Sequence, residues 1–393
     1  MRASSPDAAD LAATIELLGR LIAHPTVSAR SNRALIDDVA AWLRARDIGA
    51  TIVEGGTPGK AGLIARVGPP APAGVVLSGH TDVVPVEGQR WTSDPFALVE
   101  RDGRLYGRGS ADMKGFIAAV LTALPRFAAM PLRRPIYVAL SWDEEVGCLG
   151  APRLIEALLE QGPRPALVVV GEPTGMRPAD RHRGIATFAT TVTGRGGHSA
   201  QPLHGVNAIA LAARFVAELE RQAGDWAGDV RHPTDAARAD PATLNIGRIE
   251  GGTAVNIIPE QCRLIWECRT ESTAQVAALL AHLEAFAARE LVAPVAGRAP
   301  ETTVRTEPDV AVPPFLAAPD SPAVALALHL TGEKACTAAP FVSEAGLFAN
   351  AGMAAVVLGP GEPAQAHRPD EFISREQLAR CVAFLHRLGA WVV

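Results

Sequence analysis

Residues 75–85 read VVLSGHTDVVP. The segment opens on consecutive apolar residues where an exposed-face strand would alternate, and this is the pattern of a strand covered on both faces. A histidine and an aspartate, His80 and Asp82, follow at once. The design recurs along the chain. Residues 136–142 (IYVALSW) lead into Glu144 and Glu145, residues 167–170 (LVVV) into Glu172, and residues 354–358 (AAVVL) into a loop carrying His367. Helical patterns at 114–130 and 151–161 lie between these runs, and others cover 7–23, 32–46 and 323–330. Strands alternating with helices predict an α/β fold, a mostly parallel sheet sandwiched by helices. In such a sheet the binding site forms at the carboxyl ends of the strands, where the polar residues fall.

The middle of the chain follows another rule. Strand patterns at 185–193, 243–250, 263–269 and 302–310 enclose helix patterns at 208–221 and 273–290. That β-α-β-β-α-β order is ferredoxin-like. The expected organisation is therefore a discontinuous domain, residues 1–180 and 312–393, with an α+β domain inserted at 181–311.

Composition narrows the partners. The chain has 393 residues, 48% of them hydrophobic, enough for a large core. Its 37 basic and 42 acidic residues leave a net charge of −5 without a long run of one sign. Nucleic acid, which wants a basic face, is not expected. No run of about 18 apolar residues suggests a membrane span, and residues 1–10 (MRASSPDAAD) lack a secretory pattern. Five scattered cysteines, with no CxxC pair, argue against a thiolate zinc site or a disulfide framework and fit the cytoplasm.

The chemistry sits in the strand-end residues. Asp112 joins them from a glycine-rich loop, GRGSADMKG, which lacks the spacing of a phosphate loop. Singly, each has an ordinary reading: a structural histidine, a solvated Glu144–Glu145 pair, an aspartate capping the next helix. Together they crowd carboxylates that repel one another unless a cation intervenes. Imidazole with carboxylate suits zinc or a similar divalent ion. With His80, Asp112, Glu145, Glu172 and His367 as ligands, three negative charges face the four positive charges of two ions. One hydroxide then neutralises the centre, which favours two metals sharing a bridging hydroxide.

The motifs SGHTDVVPVEGQRWTSDPF, LYGRGSADMKG, DEEVGCLGA, GEPT, GGHSAQP, GGTAVNIIPE and AHRPDEF occur in that order. In these the chain resembles the M20 family of dinuclear metallohydrolases over nearly its whole length. The resemblance implies a zinc-peptidase-like catalytic domain, residues 1–180 and 312–393, and a lid and dimerisation domain, residues 181–311. It implies two divalent ions, zinc or else cobalt. His80 and Glu172 would hold one ion and Glu145 and His367 the other, with Asp112 between them and a cis peptide after it. Asp82 would orient His80 through its other ring nitrogen, and Glu144 would be the general base. His198 would reach the partner subunit's site and stabilise the oxyanion, which implies a homodimer. Asn256 and Arg269 would contact substrate.

Three further features, GEPT, HRG at 182–184 and SEAG at 343–346, resemble the branch acting on Nα-acetyl-L-ornithine, releasing L-ornithine and acetate in arginine biosynthesis. His182 stands where the desuccinylase branch has an arginine, and Glu344 would pair with a substrate ammonium. Val342 and Ser343 depart from that branch. N-acetylcitrulline, N-succinyl-diaminopimelate, another N-acyl amino acid or a peptide therefore stay open as substrates. A non-catalytic binding protein would have lost Glu144 or a ligand, and none is lost.

Overall fold

A computed structural model of the chain describes residues 8–228 and 242–393; Asp7, where the first helix pattern begins, lies outside the described residues. The chain divides into two compact units. One comprises the described residues up to His182 together with Phe315–Val393, and the other is Arg183–Pro314.

The first unit is built on a nine-stranded sheet. Its order is Ala50–Glu54, Ala61–Val67, Ile136–Ser141, Val75–His80, Leu167–Pro173, Ala354–Gly359, Ala179–His182 and Phe315–Leu316, with Thr337–Ala338 also paired to Ala179–His182. The four consecutive-apolar segments form its parallel centre. Three of them are buried throughout, and the fourth, Ala354–Gly359, is buried after its first residue. One face carries the helices Ala8–Ile22, Gly115–Ala128 and Arg375–Trp391. The other carries Ala151–Glu160 and Ala345–Asn350. Helix Gly115–Ala128 packs so closely that a Cβ on Gly171 would stand 2.0 Å from the Phe116 ring, so only glycine fits there.

Register levels the strand ends. His80 pairs with Ser141, Ser78 with Val170, and Val357 with Val170. The loops that follow leave the sheet at nearly one height, which gathers their polar residues.

The elements beyond the sequence-based expectation include an edge hairpin and a helix near residue 393. The hairpin Ala50–Glu54/Ala61–Val67 pairs antiparallel at one edge, its second strand (AGLIARV) diluted by alanine, glycine and arginine. The helix Arg375–Trp391 closes the chain, capped by Ser374, which accepts from the Gln377 amide at 3.1 Å.

The second unit has an antiparallel sheet ordered Thr243–Gly251, Gln261–Thr270, Gly184–Thr193 and Thr303–Val312. Helices Ala208–Gly228 and Thr273–Phe286 supply Phe215, Leu219, Leu279 and Leu283 to a core with Phe188 and Trp266. Strand Gly184–Thr193 alternates buried and half-buried residues, as a sheet covered on one face should. Strand order and connection are ferredoxin-like.

Candidate metal centre

His80 ends its strand, and Glu144 and Glu145 occupy the turn after Ile136–Ser141. Glu172 lies within Leu167–Pro173, and His367 lies in the loop after Ala354–Gly359. Asp112 sits in the loop before helix Gly115–Ala128, and its peptide bond to Met113 is cis, as the resemblance implied. These residues form two groups that could each hold an ion: His80, Asp112 and Glu172, and Asp112, Glu145 and His367. Asp112 belongs to both. Its Oδ1 stands 3.0 Å from His80 Nε2, and its Oδ2 3.3 Å from His367 Nε2. Glu172 Oε1 is 3.6 Å from His80 Nε2, and Glu145 Oε2 is 3.0 Å from His367 Nε2.

Charge is concentrated there. Burial pushes the carboxyls of Glu144, Glu145 and Glu172 above their ordinary values. Burial works the same way on Asp112, but hydrogen bonds with His367 and His80 outweigh it and keep this carboxyl low. Hydrogen bonds to Asp112 and Glu145 raise His367 to about 10. The protein thus buries several acids around two imidazoles. Glu172 Oε1 has no hydrogen-bond partner among the described residues. Nitrogen and oxygen donors converging from both sides of one carboxylate, with a buried oxygen unpartnered, fit divalent cations. Glu144 is buried beside them, its charge felt by His80 and Glu172, and its Oε1 accepts a hydrogen bond from the Cys148 thiol at 3.3 Å.

Asp82 meets the other ring nitrogen of His80 through its main chain. His80 Nδ1 lies 3.0 Å from the main-chain oxygen of Asp82, whereas the carboxylate Oδ1 is 3.7 Å away. The carboxylate instead accepts from Ser28 Oγ at 2.7 Å and from the amides of Glu144 and Glu145 at 3.1 and 3.2 Å. The strand-end turn directs its carbonyl inward and leaves the side chain facing the neighbouring turn. Lys60 braces that turn by donating to Asp143 Oδ1 at 2.5 Å.

The other expected residues fall in both units. His182 is buried at the end of its strand, its ring 5.7 Å from that of Phe315. Glu344 is buried, and its Oε2 accepts from Ser78 Oγ at 3.1 Å. It makes no capping bond to the helix that it precedes, Ala345–Asn350. His198, Asn256 and Arg269 lie in the second unit. His198 is exposed, its Nδ1 accepting from the Ala200 amide at 3.0 Å. Asn256 is exposed, and its carbonyl accepts from the Ser199 amide at 3.1 Å. Arg269 is half-buried and donates to Glu267 at 3.1 Å.

Sequence reasoning missed Arg108 and Glu371, a fully buried ion pair at 2.7 Å beside the Asp112 loop. The signal was slight: an arginine between two glycines, and an acid four residues after His367.

The sequence profile of peptidase family M20/M25/M40 matches residues 76–390. Acetylornithine deacetylase of Erwinia tasmaniensis is 35% identical over 374 residues, covering 91% of this chain and 92% of that protein. Acetylornithine deacetylase of Proteus mirabilis is 37% identical over 373 residues, 91% of each. Among solved structures, a dinuclear metal-binding M20 peptidase of Bacillus subtilis aligns with a TM-score of 0.69 at 17% identity. The alignment covers 98% of this chain and 100% of the peptidase. Among the described residues no helix is long and apolar enough to cross a membrane.

Proposed function

The chain belongs to peptidase family M20/M25/M40, and from that premise we propose that it hydrolyses the amide of Nα-acetyl-L-ornithine to L-ornithine and acetate in arginine biosynthesis. The observation that carries the chemistry is Asp112, whose two oxygens face two different histidines. The substrate is supported by 35–37% identity across 91% of the chain to proteins named for that reaction.

His80 and Glu172 would hold one divalent ion, Glu145 and His367 the other, and Asp112 would serve both; zinc suits these donors, and cobalt is the alternative. When bound, the two ions supply an activated water as nucleophile and polarise the amide carbonyl. Glu144 takes the water's proton and delivers it to the leaving amine nitrogen. Its buried place next to Glu145 suits a group that must hold a proton between two steps. Asp82 fixes the turn bearing base and ligand. His198 stabilises the oxyanion in the partner's site of a cytoplasmic homodimer, with residues 181–311 as lid and dimerisation domain. Asn256 and His182 contact substrate, Arg269 its carboxylate, and Glu344 its ammonium.

The test is amine release by the zinc-reconstituted full chain. Nα-acetyl-L-ornithine is compared with N-succinyl-diaminopimelate, N-acetylcitrulline and a dipeptide. The highest kcat/KM is expected for the first. Preference for another compound overturns the substrate and keeps the hydrolytic mechanism; no turnover with two ions bound overturns both.

A further inference from the structure

The loop that presents Asp112 carries main-chain amides pointing inward, away from any regular secondary structure. Glu371 meets three of them. Its Oε1 accepts from the amides of Ala111 at 2.9 Å and Asp112 at 3.1 Å, and its Oε2 from Gly109 at 3.0 Å. Arg108, from the same loop, donates to Oε2 at 2.7 Å. Both side chains are 1% exposed. Arg108 extends the clamp by donating to Gln89 Oε1 at 2.6 Å and to the Arg368 carbonyl at 3.3 Å. Just beyond Glu371, strand Phe372–Ser374 pairs with Arg104–Tyr106. The His367 loop and the Asp112 loop are thus sewn together at Glu371.

We infer that Glu371 is a positioning residue: by binding the Asp112 loop through its amides, it holds the Asp112 carboxylate where one oxygen faces His80 and the other faces His367. The inference rests on the two-cation reading of the centre. Glu371 bonds to the main-chain amide of Asp112, not to its carboxylate, and acts through it. The chemistry requires a carboxylate, because four donors converge on two oxygens. A glutamine would offer one oxygen and turn its own N–H groups toward donors. An aspartate keeps the charge for Arg108 but is one methylene too short to reach both edges of the loop.

The experiment uses the full chain with Glu371→Gln and, separately, Glu371→Asp. Both zinc dissociation constants are measured by chelator competition, along with thermal unfolding of the metal-free protein and kcat at saturating zinc. The expected result is a folded variant in which at least one zinc constant weakens about 10–100-fold, with kcat recovering toward wild type as zinc saturates. A merely structural role would lower the unfolding temperature and leave both constants within twofold of wild type, and that outcome overturns the inference. Should the glutamine variant fail to fold, the aspartate variant, whose buried charge stays paired, decides in its place. A wild-type chain that binds fewer than two ions removes the underlying reading; two ions bound with unchanged variant constants removes this inference alone.

Discussion

Asp82→Asn separates two accounts of a buried carboxylate. Asp82 accepts three hydrogen bonds, and its Oδ2 takes two of them, from Ser28 and the Glu145 amide. An asparagine would keep its oxygen on that side and turn its NH2 toward the Glu144 amide, donor against donor. One charge-assisted bond is lost, at about 1.5–3 kcal/mol, and two weaken from charged to neutral, so the total is about 3 kcal/mol of stability. The Glu144–Glu145 turn then loses its anchor, and kcat should fall about 10–100-fold, as is usual when support behind a catalytic group is removed. Denaturant unfolding of the metal-free variant, kcat with zinc, and the two zinc constants are the measurements. His80 should keep its affinity, because the main-chain carbonyl orients its ring. A variant within about 0.5 kcal/mol of wild type and within twofold in kcat would refute the reasoning. Selective weakening of the ion held by His80 and Glu172 would return the carboxylate to the role expected from sequence.

Three other outcomes are expected. Glu144→Gln should keep both ions and lose about 10²–10⁴-fold in kcat, the usual worth of a general base; near-normal turnover would remove Glu144 from that role. His198→Ala should lower kcat about 10²–10³-fold, the cost of one oxyanion donor, without shifting the unfolding temperature, since the residue is exposed; full activity would exclude it from the reaction. Hydrogen bonds from Arg221 and His282 hold Glu218 at about 2, so its stabilisation is complete above about 4.5 and fades as pH falls through about 2. Glu218→Gln should therefore be less stable than wild type at neutral pH, with the gap closing in acid; a gap that widens in acid would contradict the assignment.

The central sheet was legible because its strands are apolar on consecutive positions, a pattern that only double-sided burial explains. The candidate ligands His80, Glu145, Glu172 and His367 were legible because they stand at or after the ends of those strands, whereas Asp112 was read from its glycine-rich loop. The edge hairpin was not, since its alanine- and glycine-rich strand carries little signal. Helix Arg375–Trp391 carries a readable period, with Leu378, Val382, Leu385 and Leu388 on its buried side. The direction of Asp82 was beyond reach, because two-residue spacing does not distinguish a carbonyl from a carboxylate. Glu371 looks on paper like any acid in a polar loop; only its burial against three amides distinguishes it.

The strand Ala354–Gly359 lies in the sheet between Leu167–Pro173 and Ala179–His182, segments made about 180 residues earlier in synthesis. A growing chain must therefore leave a slot open in the middle of its own sheet. Until the slot is filled, the edge of Leu167–Pro173 offers unpaired amides and carbonyls to any passing strand. The same late strand leads to His367, so the group of Asp112, Glu145 and His367 is incomplete until that residue has been made. A divalent ion could settle at that group only after the slot in the sheet is filled, and until then the open strand edge is an aggregation hazard.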